Sequence, residues 1–272
     1  MEALDRILSQ VRMTSPSLEV KYKCPICQDT GWIETNRGYK RCECYKREHS
    51  IRLWRGFGVD PTRVKKLSEY TSYDDLTLQA KEKATAYIKN FENISIAEEN
   101  SFGLFGQPGS GKSHIVIAIG AALLNSNHPV QAIYMPYLEA TRELKANVND
   151  DEYYLKLLSR YQKAKLLIID DLFKDKVKNG KLIKDRYGNK AGLNEADIKH
   201  IMPIINYRYF NHLPTVISTE CDPNVLIELD EALAGRILEP CGNNMTVFKG
   251  AQYNYRMRKF IKRGDDSNAG AV

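Results

Sequence analysis

Short apolar runs alternate with longer helical patterns along most of this chain, from Phe102 onward. Uninterrupted apolar runs are typical of buried β-strands, and apolar residues that recur every three or four positions are typical of helices. Strands and helices in alternation predict an α/β fold with a mostly parallel sheet. The pattern predicts strands at 102–105, 130–135, 166–170, 215–219 and 246–248, with helices near 112–124, 138–147, 151–162 and 195–210.

The first hundred residues divide into shorter segments. An apolar stripe within residues 2–11 predicts a short helix, which either packs on its own protein or docks a partner. Residues 48–75 are aromatic without a clean period and are interpreted as a connector, whereas 80–91 have helical propensity and spacing. Farther along the chain, Pro203 interrupts a helical pattern and predicts a kink or a helix restart.

A phosphate-binding motif stands between the predicted strand at 102–105 and the helix after it. Its glycines allow successive backbone N–H groups to turn toward a phosphate, and the helix N-terminus adds its dipole. Lys112 is placed to reach the β- and γ-phosphates, and the Ser113 hydroxyl to ligate Mg²⁺. The motif predicts a nucleoside triphosphate site formed by Gly106, Gln107, Pro108, Gly109, Ser110, Gly111, Lys112 and Ser113.

Two acidic residues, Asp170 and Asp171, end the apolar strand predicted at 166–170. We expect Asp170 to hold Mg²⁺ through water, as a Walker B aspartate does, and Asp171 to orient or deprotonate the attacking water. An apolar run that ends in two acids is weak evidence alone, but here it follows the phosphate-binding motif with one predicted strand between them. The two motifs together predict ATP and Mg²⁺ as ligands, with Asp170 and Asp171 as catalytic residues.

Four of the six cysteines are clustered near the N-terminus in the order C-x-x-C and then C-x-C. Four thiolates in two close pairs suit a tetrahedral Zn²⁺ site, and residues 29–31 provide a knuckle turn after the first pair. The alternative is a redox dithiol. Cys221 and Cys241 are isolated and predicted to be buried. The predicted metal ligands are Cys24, Cys27, Cys42 and Cys44.

Composition and charge narrow the function classes. The chain is 43% hydrophobic and 27% charged, which is ordinary for a globular protein. The longest apolar run, 115–124, is ten residues long and too short to cross a bilayer, and no secretory signal is visible at the N-terminus. We therefore expect no membrane partner and a cytoplasmic location. The net charge of +6 permits a nucleic-acid partner without requiring one.

Two basic segments are candidates for contact with DNA. Residues 174–190 hold seven basic and two acidic residues, and they form either a solvated loop or a DNA-contacting loop. Residues 249–263 hold six basic residues interleaved with aromatic ones, a pattern compatible with phosphate contacts or base stacking. Within the second segment, Arg256 is a candidate for binding the nucleotide instead of DNA.

With these landmarks placed, the chain resembles the DnaC/DnaI-type bacterial helicase loaders, which are AAA+ ATPases related to the IstB transposition proteins. The resemblance covers roughly residues 48–262, and the cysteine cluster resembles the N-terminal zinc domain of the DnaI branch. The matching segments are 106–113, 166–173, 205–210, 214–220, 233–237 and 255–258.

The resemblance implies three further functional positions. Sensor 1 would lie at residues 218–220, an arginine finger at Arg236 and sensor 2 at Arg256, which would bind the nucleotide. Glu220 stands where the family usually has asparagine, which leaves its role in polarising water open. A simpler alternative for Arg236 is a surface ion pair with Glu231 or Glu239.

The resemblance also implies a function for the protein. It would load the hexameric replicative DNA helicase onto single-stranded DNA and assemble on that helicase, with ATP binding and weak, partner-stimulated hydrolysis as a switch. The nearest alternative is an IstB-like ATPase with a transposase partner, and the zinc module favours the loader. A P-loop kinase and a non-catalytic zinc-finger regulator fit less well, because no acceptor pocket is apparent and both Walker motifs are present.

Residues 174–190 form an insertion longer than the resembled family commonly carries at this place. These interpretations divide the chain into five regions. The predicted regions are an N-terminal helix and linker at 1–18, a four-cysteine zinc module at 19–47, a connector at 48–75, an AAA+ ATPase domain at 76–263 and a disordered tail at 264–272.

Overall fold

The computed structural model describes residues 22–178, 180–258 and 260. The chain forms two compact units, of which the first ends at Ile51 and the second begins at Arg52. The helix predicted within 2–11 and the tail predicted at 264–272 lie outside the described residues. Within the described ranges, every helix is too short or too polar to cross a bilayer.

The first unit contains an antiparallel hairpin of β1 (Trp32–Thr35) and β2 (Gly38–Arg41), followed along the chain by helix α1 (Glu43–Phe57). The guanidinium carbon of Arg41 lies 3.7 Å from the ring centroid of Trp32 and 3.9 Å from that of Tyr45. This stacked cation joins the hairpin to the start of α1. Helix α1 extends into the segment at 48–75 that the sequence analysis interpreted as a connector.

A five-stranded parallel sheet forms the centre of the second unit, in the order β4-β5-β8-β3-β9. Strands β3 and β8 are buried along their whole length, which is why they read as continuous apolar runs in the sequence. The predicted α/β fold with a parallel sheet is therefore confirmed. The strands are β3 (Phe102–Gly106), β4 (Ala132–Pro136), β5 (Leu166–Leu172), β8 (Thr215–Thr219) and β9 (Met245–Phe248).

Helices cover both faces of this sheet, and the three at 112–124, 137–146 and 151–162 begin and end within one residue of the predicted positions. The helix predicted at 80–91 begins five residues earlier, because the Asp74 carboxylate accepts the Thr77 amide at 2.8 Å and caps it there. The helix predicted at 195–210 begins at Met202, after a π-helical turn, and the helices at 91–94, 223–229 and 231–238 were not predicted. The helices are α2 (Asp75–Lys89), α3 (Phe91–Ile94), α4 (Lys112–Leu124), α5 (Tyr137–Ala146), α6 (Asp151–Gln162), α7 (Met202–Phe210), α8 (Pro223–Leu229) and α9 (Glu231–Leu238).

Two apolar clusters form the core, one on each face of the sheet. Successive strand residues point to opposite faces, and accordingly Ile168 belongs to the cluster with α2 and α4, whereas Ile169 belongs to the cluster with α5, α6, α7 and α9. The sheet is thus covered on both sides, and its edge at the carboxyl ends of the strands is left for the polar residues that follow them.

The helical pattern around Pro203 is interrupted as predicted. A π-helical turn (Asp197–Ile201) precedes α7, which restarts with Pro203 in its first turn, where the missing N–H costs little. Farther along α7, the buried Arg208 donates to the carbonyls of Tyr161, Gln162, Ala164 and Pro214 and to the Thr215 hydroxyl. These bonds fix the end of α6 and the start of β8 against α7.

The insertion at 174–190 contains regular structure. A short turn (Lys174–Lys176) leads into strand β6 (Val177–Lys178), which pairs with β7 (Lys181–Leu182) in an antiparallel hairpin. Val177 and Leu182 are buried in the same core cluster as Ile169. The insertion is therefore anchored to the second unit by its own apolar side chains.

Candidate functional site

The phosphate-binding loop is shaped by glycines in the left-handed region. Gly106 ends β3 with φ of 93°, and a Cβ there would lie 2.3 Å from the Phe248 carbonyl oxygen. Gly111 precedes α4 with φ of 87°, and a Cβ there would lie 2.6 Å from the Tyr70 ring. Side chains are excluded at both positions, so the loop can pass closely between β9 and Tyr70.

Lys112 is the first residue of α4 and is only 5% exposed. Its Nζ donates to the carbonyl oxygens of Gly106 at 2.8 Å and Gln107 at 2.7 Å, inside the loop. Burial lowers the pKa of Lys112 to about 8, and the negative charge of Asp171 opposes that shift. The structure thus places the cation of the motif at the centre of the loop, next to the half-buried Ser113.

Asp170 is held on both carboxylate oxygens. The Tyr134 hydroxyl donates to Oδ2 at 2.8 Å, and the Ser218 hydroxyl donates to Oδ1. Ser218 Oγ also accepts the backbone amide of Asp171 at 3.0 Å, which joins the carboxyl ends of β5 and β8. Asp170 is thereby fixed in one orientation, as a metal-positioning carboxylate must be. Ser218 lies in the segment expected as sensor 1, whereas Tyr134 was missed because it belongs to another strand.

Asp171 lies within an irregularity in the pairing of β5 with β8, between Ile169 and Leu172, and its φ is 56°. Burial raises the pKa of this carboxyl first, and the charge of Asp170 raises it further. The cations Lys174, Lys112 and Arg256 act in the opposite direction. A carboxylate whose basicity is increased in this way is suited to accept a proton from water.

Glu220 directly follows β8 and is 5% exposed. Its carboxylate forms an ion pair with Lys174 Nζ. The neighbouring Thr219 hydroxyl donates to the Leu172 carbonyl at 2.6 Å, so the ends of β5 and β8 are bonded on this side as well. Lys174 was read in the sequence only as part of a charged loop, because the pairing of these strand ends is not a local signal.

A cleft of about 260 Å³ lies beside the phosphate-binding loop. The Tyr70 hydroxyl, on its wall, donates to the Ser110 carbonyl at 3.0 Å, and the Tyr255 amide donates to the Gly109 carbonyl at 3.1 Å. Arg256, expected to be sensor 2, also lines this cleft. Aromatic walls next to a phosphate-binding loop suit a nucleotide base. The cleft is lined further by Tyr73 and His114.

Arg236 is located elsewhere. It lies on α9 and lines a separate cavity of about 560 Å³ that includes none of the phosphate-binding residues. Its guanidinium carbon is 5.8 Å from the ring centroid of Phe210, which is 66% exposed. Among the residues described, no ion pair joins Arg236 to Glu231 or Glu239, and Glu239 instead accepts from the Tyr209 hydroxyl at 2.7 Å.

The four N-terminal cysteines converge, and all their Sγ atoms lie within 4.8 Å of one another. The Cys24–Cys42 pair is 3.8 Å apart and the Cys27–Cys44 pair 3.3 Å apart. Tetrahedral zinc with Zn–S bonds of about 2.3 Å requires sulfur separations of about 3.8 Å, so the donor set fits this ion. The Asp29 carboxylate accepts the Cys24 amide at 2.8 Å and fixes the predicted knuckle turn. Cys221 and Cys241 are fully buried, as expected.

The basic insertion is divided in its roles. Lys176 is buried and pairs with Asp175 at 2.9 Å and Asp197 at 2.8 Å, and Lys190 pairs with Glu228. With Lys174 engaged by Glu220, three of its seven basic side chains are committed to internal ion pairs. The other four are exposed on the hairpin and its extension: Lys178, Lys181, Lys184 and Arg186.

Part of the aromatic and basic C-terminal segment is also committed within the second unit. The Tyr73 ring stacks on Tyr255 with centroids 5.8 Å apart, and the Arg258 guanidinium carbon lies 4.3 Å from the Tyr73 centroid. Tyr253 packs edge-on against Phe248. Phe260 is 71% exposed. Tyr253 and Tyr255 are thus packed against aromatic rings of the second unit, which makes them less available for base stacking.

The chain is similar in sequence to ATP-binding proteins. The sequence model of the family described as "IstB-like ATP binding protein" matches residues 41–212. The chain is 31% identical to the protein YqaM of Bacillus subtilis over 261 residues, which cover 94% of this chain and 78% of YqaM. It is 29% identical to the phage-like element PBSX protein XkdC of the same organism, over 88% of this chain and 86% of XkdC.

Solved structures share the fold. The crystal structure of the DnaC helicase loader matches 73% of this chain and 99% of its own length, with 22% identity and a TM-score of 0.52. DnaA from Aquifex aeolicus bound to AMPPCP matches 78% of this chain and 58% of its own length, with 14% identity and the same TM-score. The second unit therefore has the architecture of an AAA+ P-loop domain.

Proposed function

The chain belongs to the IstB-like ATP-binding protein family, and we propose that it is an ATP-dependent loader of the replicative DNA helicase. In this proposal it binds the helicase ring and single-stranded DNA during DNA replication, and ATP binding and hydrolysis switch it between states. One observation carries the proposal: residues 106–113 and the two aspartates Asp170 and Asp171 lie at the same edge of the parallel sheet, in a fold that matches 99% of the crystallised chain of the DnaC helicase loader. The proposal includes a cytoplasmic location.

The contacts in the site support the roles that we assign to its residues. Residues 106–113 bind the phosphates, with Lys112 as the cation, and Ser113 and Asp170 hold Mg²⁺. When bound, Mg²⁺ supplies charge neutralisation at the phosphates. Asp171 orients the attacking water and accepts its proton, an assignment supported by the raised pKa of its carboxyl. Arg256 contacts the nucleotide from the cleft beside the loop.

Arg236 completes the site from a neighbouring subunit in this proposal. Charge that develops on the γ-phosphoryl group during hydrolysis requires a further cation. Arg236 supports this role because it lines a cavity separate from the phosphate-binding loop and lacks an ion-pair partner among the described residues. Self-assembly on the helicase would bring it to the next subunit's nucleotide, where it would stimulate a weak ATPase.

The remaining parts are assigned to the partners. We assign structural Zn²⁺ to Cys24, Cys27, Cys42 and Cys44 because their sulfur separations fit it. The zinc module would contact the helicase. Exposed basic side chains on the β6–β7 hairpin would contact the phosphates of single-stranded DNA, because cations that neutralise the phosphates favour binding.

A second function is favoured by the family description itself. An IstB-like transposition ATPase would use the same nucleotide site with a transposase as its partner. The match to 99% of the crystallised chain of the DnaC loader and the zinc-compatible cluster favour the helicase as the partner. Either way, the nucleotide site would act as a switch controlling partner engagement.

Affinity capture distinguishes the two partners. The tagged full-length chain is immobilised with Mg-ATP and exposed to lysate of the cell or phage-infected cell that encodes it, with Lys112→Ala as the matched control. We expect the replicative helicase to be retained by the wild type and reduced with Lys112→Ala. Recovery of a transposase in its place would replace the loader assignment with the alternative.

A further inference from the structure

A buried carboxylate lies at the phosphate end of the sheet without a role in the assignments above. Glu220 follows β8 directly and its side chain is 7% exposed. Within the described part of the chain, its one ion-pair partner is Lys174, three residues after Asp171. An unpaired carboxylate at this depth would be costly, and it would repel a bound phosphate. The ion pair with Lys174 offsets both effects.

Lys174 also lies at the edge of the sheet that holds the nucleotide site. It stands two residues after the end of β5, and its ion pair with Glu220 holds its ammonium at the end of β8. Strand β8 lies between β5 and β3, the strand that leads into the phosphate-binding loop. A second lysine at the same end of the sheet as Lys112 is unfavourable unless the site receives an anion. The phosphates of ATP are the anions that this loop is built to bind.

The backbone holds Lys174 in this place. Phe173 has φ of 58°, unusual for a bulky side chain, and it is fully buried against Tyr137, with ring centroids 5.6 Å apart. On the other side, Lys176 is buried in its ion pairs with Asp175 and Asp197. Lys174 is therefore fixed by neighbours on both sides, and its 35% exposed side chain is left to reach across to Glu220.

We propose that Lys174 is the cation that senses the γ-phosphate in this ATP site, and that Glu220 is the positioning residue that holds it there. The inference rests on the proposed nucleotide function and deepens it. The asparagine that the resemblance implies at position 220 has a neutral amide with N–H donors of its own. Here the carboxylate cannot donate, and the lysine that it binds supplies the donors in its place.

The test compares nucleotide affinities of full-length variants by calorimetry, with Mg²⁺ and either ADP or a non-hydrolysable ATP analogue. Lys174→Met removes the charge at similar length, and Lys174→Arg keeps it. The double variant Lys174→Met/Glu220→Asn removes the buried carboxylate and supplies an amide. Lys165→Met is the matched control, because Lys165 is exposed at the opposite end of β5.

The inference predicts a loss specific to the triphosphate. Lys174→Met should weaken binding of the ATP analogue by about tenfold to a hundredfold, the range for one charged hydrogen bond. It should weaken binding of ADP by less than about threefold. Lys174→Arg and the double variant should regain most of the affinity for the analogue. Lys165→Met should match the wild type. Circular dichroism and melting of each variant without nucleotide report folding independently of binding.

Two results would overturn the assignment of Lys174. One is an equal change of ADP and analogue affinity in Lys174→Met, or no change in either, while the wild type binds both. The other result applies if Lys174→Met does not fold. It is a double variant that folds and binds ADP normally but binds the ATP analogue no better than ADP. If the wild type itself binds neither nucleotide, the proposed nucleotide function fails, and this inference fails with it.

Discussion

The nucleotide site and the cysteine cluster differ in what holds them together. The phosphate-binding loop and Asp170 follow strands of a sheet that is covered on both faces by buried apolar side chains. In residues 22–51, by contrast, Cys27 and Cys42 are the only buried apolar side chains. The first site should persist without its ligand, whereas the second should depend on its metal for folding. Each part of that contrast can be tested.

The largest expected effect is the removal of zinc. Replacing Cys24 and Cys27 together by Ser should abolish a site whose metal supplies about 10–16 kcal/mol in small zinc modules. Elemental analysis should fall from about one zinc per chain to none. Hydrogen exchange should show reduced protection at 32–41 but unchanged protection in β3 and β8. The matched control is Cys221→Ala/Cys241→Ala, and zinc that survives in the first variant would refute this ligand set.

The next effect tests whether the sheet-based site is complete in one chain. Arg236→Ala should retain ATP binding and lose partner-stimulated hydrolysis by about a thousandfold or more, the range for an arginine finger. An Arg236→Ala chain mixed with a Lys112→Ala chain should regain part of the activity, because some interfaces then pair an intact loop with an intact arginine. Mixed assemblies that form and stay inactive would contradict a role in trans.

Lys112→Ala tests the preformed loop directly. Removing one buried charged contact to the phosphates should weaken ATP binding by about a hundredfold or more. Folding should change little, because Lys112 is bonded only to the carbonyls of Gly106 and Gln107 among the described residues. Calorimetry with circular dichroism measures both quantities, with Lys165→Ala as the control. A folded Lys112→Ala protein with unchanged Mg-ATP affinity would remove the site assignment.

The smallest expected effect concerns the exposed hairpin. Changing Lys178, Lys181 and Lys184 to Gln should reduce the slope of log K against log salt for single-stranded DNA, by up to roughly 0.7 for each DNA phosphate that is no longer neutralised. The matched variant changes Lys156, Lys163 and Lys165 to Gln. It removes the same amount of charge from another exposed surface. Equal slopes for the two variants would mean that the hairpin is solvated surface.

Local patterns predicted the five strands of the central sheet well, because burial on both faces of a parallel sheet leaves continuous apolar runs. The bounds of β8 match the predicted 215–219, and the restart at Pro203 is confirmed. The glycines of the phosphate-binding loop were also predictable, since Gly106, Gly109 and Gly111 all have a positive φ, which favours glycine. The helix α1 was missed because the aromatic segment that contains it has no clean apolar period.

Contacts between strands could not be predicted from the sequence. The bond from Tyr134 to Asp170 and the ion pair between Lys174 and Glu220 depend on the order β4-β5-β8, which no local pattern specifies. The insertion at 174–190 was read as one charged loop, although buried side chains anchor its first half. The roles of Asp171, Arg236 and Arg256 in catalysis and nucleotide binding stay predictions.

Helicase loading on closed circular single-stranded DNA tests the central proposal most directly. A helicase ring can enter a circle only if the ring opens, so the retained helicase can be counted after gel filtration. The wild-type chain with ATP should load the replicative helicase, and Lys112→Ala should leave it at the level seen without any loader. Equal loading by the wild type and Lys112→Ala, or no loading by a wild type that binds both ATP and the helicase, would contradict the proposed function.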